Sequence, residues 1–167
     1  MRHASAVVLV AAVTLATSAS VQADTQGATR AQAVSIYVPR GAGNSCARVL
    51  PLKRLVRTPA VLRGALQALL AGPTKTERAH GYGGWFSAKT ADHLRSVRIT
   101  RGIAYIDFRS FARDIPNASS SCGSTLLLAQ LDRTVKQFPT VRSAVYSFDR
   151  SRGAFYEWLQ REAPATR

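Results

Sequence analysis

The chain has 167 residues, a length suited to one domain. With 46% hydrophobic and 19% charged residues it has the make-up of a globular protein with a core, which excludes a wholly disordered chain. A net charge of +14, from 23 basic and 9 acidic residues, directs attention to anionic partners and leaves few acids for a glycosidase-type carboxylate pair.

The N-terminal segment reads as an export signal. Arg2 and His3 make a short basic start, and "ASAVVLVAAVTLA" is an apolar run too short to span a bilayer. "TSASVQA" then places Val21 and Ala23 where signal peptidase takes small residues, so residues 1–23 are the expected signal peptide. No cysteine lies near this point for lipid attachment, and no other stretch is long enough for a transmembrane anchor. The expected location is extracytoplasmic, in the periplasm or cell wall. Export turns the basic charge away from nucleic acid and towards anionic wall polymers, headgroups and glycans, through either a dispersed solvated surface or one focused anion-binding face.

Residues 24–32 read as a flexible leader. "AVSIYVP" alternates, with Val34, Ile36 and Val38 on one face, and predicts a strand. "RVLPLKRLV" is extended, and Pro51 assigns it to an edge or bulge. Thr58-Pro59 predicts a helix start, Leu62, Leu66 and Leu69 form its apolar stripe with Ala65 and Leu70 beside it, and Gly72-Pro73 end it. Residues 76–79 predict a helical turn capped by Thr74 or Thr76, with Glu77 pairing locally with Arg78 or Lys75. "LRSVRITRGIAYIDF" predicts a hairpin turning at Arg101-Gly102. In that register Val97 faces Ile106 and Ile99 faces Ala104; these four and Phe108 form the buried face, and Asp107 is a solvated acid near Arg98 or Arg109.

A second helix is predicted from about Ser124 to Gln137, with Leu127, Leu131, Thr134 and Phe138 at helical spacing and Pro139 closing it. "VRSAVYSFD" is the last strand. The tail, residues 150–167, carries Phe155, Tyr156, Trp158 and Leu159, either to close the core or to dock a partner. The expected fold is α+β: a small mixed or antiparallel sheet with two helices packed on one face. In an oxidising compartment Cys46 and Cys122 read as a disulfide, tying the loop after the first strand to the N-terminal end of the second helix.

"LPLKRLV", "ALQALLAGPTKTERAHGYGGWFS", "LRSVRITRGIAYIDF" and "LAQLDRTVKQFPTVRSAVYSFD" occur in that order. As a series they resemble the GerM, or GerMN, domain of sporulation and spore germination, over residues 33–149. The resemblance implies an exported module, similar to the ring-building modules of envelope secretion machines, that acts by binding or assembly. It implies no catalytic residues and no cofactor. Many members have two copies, a lipid-anchored cysteine or further domains; this sequence shows one copy.

Among candidate sites, Tyr82, Trp85 and Phe86, with Arg78, make either an aromatic lid on the sheet edge or a stacking platform for sugar rings. A phosphate loop fails, because the glycines at 81, 83 and 84 lead towards a strand and not a helix. A serine triad from Ser119–Ser121, His80 or His93 and Asp107 lacks the nucleophile elbow. His80 and His93 lack the close pairing of a metal site. The expected function is a non-catalytic envelope module binding a protein partner or an anionic wall polymer. The alternative is a small secreted hydrolase acting on wall glycan or ester, using Asp107 or Glu77.

Overall fold

The computed structural model describes residues 30–41 and 46–165. The expected signal peptide and most of the leader lie outside the described residues. Five strands and four helices follow in the order β1 (Gln32–Val38), β2 (Leu50–Val56), α1 (Val61–Leu70), α2 (Lys75–Ala79), β3 (Leu94–Thr100), β4 (Ile103–Phe108), α3 (Ser121–Val135), β5 (Ser143–Phe148) and α4 (Arg152–Trp158). The α+β class holds, and the strands divide into two sheets. β1 and β2 form an antiparallel pair; β3, β4 and β5 form the second sheet in that order, with β3–β4 antiparallel and β4–β5 parallel.

The division has a chemical cause in α3. Side chains of α3 and of the turn that follows it, and not a further strand, satisfy backbone groups of β1. The Tyr37 amide donates to Thr134 Oγ1 at 3.1 Å. The Ser35 amide donates to Gln137 Oε1 at 2.9 Å, and Gln137 Nε2 donates back to the Ser35 carbonyl at 2.7 Å. Thr134, read from spacing as part of an apolar stripe, is a fully buried hydrogen-bonding residue. A buried amide must find some partner, and here a helix supplies it.

Among the described residues, the larger of two apolar clusters runs between the sheets, and a small one is made by Val34, Val56 and Ala65. Ile36 and Val38 of β1 meet Leu62, Leu66, Leu69 and Leu70 of α1, Leu127, Leu131 and Val135 of α3, and Ala104, Ile106 and Phe108 of β4. The helix stripes expected from spacing are the faces that are buried, except that Phe138 lies past the end of α3 and is half-buried. α1 begins later than expected: Thr58 Oγ1 accepts from the Ala60 amide in a turn before the helix, and Ala60 is the cap. α3 begins earlier, because Ser120 caps it by accepting from the Gly123 amide at 3.1 Å. The chain leaves α1 through Gly72 at φ +73°, where a Cβ would strike the Phe86 carbonyl, so glycine is required there twice over.

The hairpin register is as expected, with Val97 opposite Ile106 and Ile99 opposite Ala104. Arg101 and Gly102 both take positive φ, as a tight two-residue turn needs. The buried face is narrower than expected. Ile99 is 41% exposed and Val97 half-buried, since β3 is the sheet edge and its outer end lacks a covering layer. Cys46 and Cys122 are disulfide-bonded, joining the segment before β2 to the first turn of α3.

The tail closes the core. Phe155 and Leu159 are fully buried, and Phe155 packs on Phe108, Tyr146 and Phe148. The buried Tyr146 hydroxyl donates to Asp132 Oδ1 at 2.7 Å; burial, then the adjacent carboxylate, pushes its pKa well above the ordinary range.

Candidate functional site

The outer face of the three-stranded sheet carries a cleft of about 510 Å³. Four arginines line it, Arg95, Arg98, Arg150 and Arg152, with Ser96, Tyr105, Asp107, Val145 and Ser147. β4 sets its floor: Ala104, Ile106 and Phe108 face the core, so Tyr105 and Asp107 face outwards between β3 and β5.

A bulge in β3 brings in the first arginine. Leu94 pairs with Phe108 and Ser96 with Asp107, so Arg95 is an extra residue between them. Strict alternation would turn Arg95 to the core face beside Val97; the bulge turns it outwards. There its Nε lies 3.2 Å from Asp107 Oδ2, and its Nη1 pairs with Asp149. Three positions along, Arg98 lies over the ring of its cross-strand partner Tyr105, 4.7 Å from the centroid, and donates to Thr100 Oγ1.

The turn after β5 brings in Arg150. Asp149 and Arg150 have φ of 47° and 71°, a left-handed pair of non-glycine residues closed by hydrogen bonds between Phe148 and Ser151. Such backbone persists only where its surroundings hold it. Asp107 does the holding: its Oδ1 accepts from the Arg150 amide and from Ser147 Oγ, both at 2.7 Å. Asp107 is therefore buried and engaged, not the solvated acid the alternation implied, and its partners are Arg95 and the Arg150 amide, not Arg98 or Arg109. Arg98 and Arg150 make no ion pair among the described residues. Chemically the site is a ready-made cationic trough whose one carboxylate already serves its frame.

The sequence-predicted loop takes a different form. Phe86 is 2% exposed and packs edge-on against Phe111, so it belongs to the core and not to a surface platform. Trp85 is half-buried, and its Nε1 donates to the Gly123 carbonyl at 3.1 Å. Tyr82 is half-buried with the Arg40 guanidinium 5.2 Å from its ring centre. Arg78 donates to the Pro73 carbonyl. Glu77 does not pair with Arg78 or Lys75: Arg54 of β2 reaches it with both terminal nitrogens at 2.7 Å. A long-range arginine outcompetes local partners because its planar fork matches both carboxylate oxygens.

The serine triad weighed from the sequence does not assemble. Ser119 donates to the Pro116 carbonyl, Ser120 caps α3, and His93 faces Asp114 and the Arg109 carbonyl. His80 is exposed, and Asp107 is committed to the sheet's outer face. Among the described residues no three His, Cys, Asp or Glu side chains group to hold a metal ion, and no helix is long and apolar enough to cross a membrane.

Fold and site together define a small two-sheet α+β module with an arginine-lined outer cleft. The chain belongs to the family described as Germane, sporulation and spore germination, which matches over residues 35–146. Its structure is similar to the first GerMN domain of the sporulation protein GerM from Bacillus subtilis, with TM-score 0.54, 18% identity, and cover of 72% of this chain and 84% of that one. It is also similar to the tandem GerMN domains of the same protein, with TM-score 0.54 and 16% identity over 72% of this chain; the match spans 40% of the tandem chain's length. At these identities the likeness is one of fold. No curated protein matches the sequence.

Proposed function

We propose that this chain is an exported, non-catalytic module of the cell envelope that holds an anionic wall polymer or a protein partner by surface charge and shape. The observation that carries the reading is the outer cleft, lined by four arginines and one carboxylate that is already engaged by Arg95 and the Arg150 amide. The disulfide supports an oxidising, extracytoplasmic setting. Arg78, Tyr82 and Trp85 are a separate candidate contact surface, without Phe86, which is buried in the core.

Hydrolysis finds no support in the placement of the acids. Glu77 is gripped by Arg54, and Asp107 by Arg95, Ser147 and the Arg150 amide. The deciding experiment incubates purified protein with isolated cell walls. Salt-sensitive co-sedimentation without release of soluble products is expected. Turnover that disappears on replacing Asp107 or Glu77 would establish the hydrolase reading instead.

A further inference from the structure

The geometry points to a more definite ligand for the outer cleft: we propose that it binds a phosphodiester-linked polymer, with Arg98 and Arg150 as the principal phosphate contacts. The inference rests on the binding-module reading and names the partner chemistry of that same site.

The cleft carries a surplus of cations. Arg95 is occupied by Asp107 and Asp149, whereas Arg98 and Arg150 make no ion pair among the described residues. A lone carboxylate would leave that surplus unanswered; a chain with a charge on every repeat answers it. The cleft volume of about 510 Å³ exceeds what one oxyanion fills and lies in the range of sites that hold a ligand unit. Guanidinium groups suit phosphate because their planar donors engage two oxygens at once.

The cleft is also set in advance. Arg150 stands on a left-handed turn whose amide is tied to Asp107, and Arg98 is laid over Tyr105. Groups held in place before binding lose less freedom when the ligand arrives. Tyr105 and Val145 supply apolar floor for the carbon skeleton between phosphates.

A lipid surface is the less suited source of phosphate. The large exposed apolar side chains among the described residues are Leu55 and Ile99. Leu55 is on the other sheet, and Ile99 is on the opposite face of β3 from Arg98. Neither stands at the cleft to enter a bilayer.

The test titrates the purified full chain with poly(glycerol phosphate), with polyglutamate of matched charge, with phosphatidylglycerol vesicles and with duplex DNA. Two double variants are compared with the native chain: Arg98→Gln with Arg150→Gln in the cleft, and Arg57→Gln with Arg133→Gln on exposed surface outside it. The native chain is expected to bind poly(glycerol phosphate) at least about tenfold more tightly than the other three probes. The cleft double variant is expected to lose on the order of 100-fold, roughly tenfold per charge-assisted contact, with unchanged melting. The outside variant, equal in charge, is expected to lose under about threefold. Equal loss in both variants, or equal or tighter binding of polyglutamate, vesicles or DNA, overturns the proposal. Should the cleft double variant melt early, Arg150→Gln alone replaces it under the same criterion. Wall sedimentation retained by the cleft variant removes only this assignment; no wall sedimentation by the native chain removes the module reading itself.

Discussion

Arg54 of β2 and Glu77 of α2 form a two-point ion pair across 23 residues of sequence, both contacts at 2.7 Å. Glu77 Oε2 also accepts from the Thr74 amide at 2.8 Å, while Thr74 Oγ1 accepts from the Glu77 amide. One carboxylate thus caps a helix and ties it to a strand. The Arg54 hydrogen bonds, opposed by partial burial and helped by the Thr74 amide, lower its pKa from 4.5 to about 2. A folded-state pKa below the unfolded one stabilises above pH 4.5, and that contribution fades as pH falls towards 2. Glu77→Gln is therefore expected to cost about 1–2 kcal/mol at pH 6, allowing for solvent screening of a pair still open to water. The cost should vanish near pH 2. Denaturant melts at both pH values check it, and an equal cost at pH 2 would contradict the pairing.

Thr134 gives a second test, of what separates the two sheets. Its hydroxyl is the partner of the Tyr37 amide. Thr134→Val keeps the shape and removes the acceptor, leaving a buried donor unpaired. The expected loss is about 1–3 kcal/mol. Hydrogen exchange should speed up at Tyr37 more than at the core amides of β4. Unchanged exchange at Tyr37 would show that β1 does not depend on α3.

Asp107 gives a third. Asp107→Ala strands the Arg150 amide and the Ser147 hydroxyl and releases Arg95. A loss of about 2–3 kcal/mol is expected, below the value for a fully buried pair because Arg95 is partly exposed. Asp107→Asn keeps an acceptor at that place and should lose less. Urea melts rank the two, and equal losses would mean that the turn does not lean on this side chain.

These residues also mark where sequence reading stops. Period-3.6 and period-2 patterns located both long helices, the hairpin register and the core leucines, because burial imposes those periods directly. Arg95 escaped, since one bulged residue reverses the face of everything on one side of it. Alternation sets Asp107 on the correct face but not in its environment: two of its partners, Ser147 and Arg150, lie 40 and 43 residues along the chain, and the nearer one, Arg95, reaches it only through the bulge. The same limit hid the Arg54 partner of Glu77. Adjacency groups Phe86 with Tyr82 and Trp85, and only the fold separates a core ring from its half-exposed neighbours. Arg150 had a faint signal, an Asp-Arg pair straight after a strand, consistent with a tight turn.

The C-terminal segment should be required for folding. Phe155 and Leu159 are fully buried, and each such side chain contributes about 1.5–3 kcal/mol by leaving water. Removing residues 154–167 takes both, so the loss approaches the whole stability of a small domain. The shortened chain is expected to lack a cooperative thermal transition by circular dichroism. A native-like melt would mean that the segment rests on the core without supporting it.

The disulfide offers the last test, and it separates fold from cleft. Cys46 and Cys122 are 76 residues apart, so the bond shortens a long loop in the unfolded chain. On the chain-entropy account this stabilises by about 4–5 kcal/mol. Reduction should lower the melting temperature by roughly 10 °C or more. None of the cleft residues sits beside either cysteine in sequence, and the cleft frame is built from β3, β4, β5 and the turn before α4. Below its lowered melting point, the reduced protein is therefore expected to keep the wall binding of the oxidised form. Binding lost on reduction while the fold persists would place the contact surface near the start of α3 instead of on the outer sheet face.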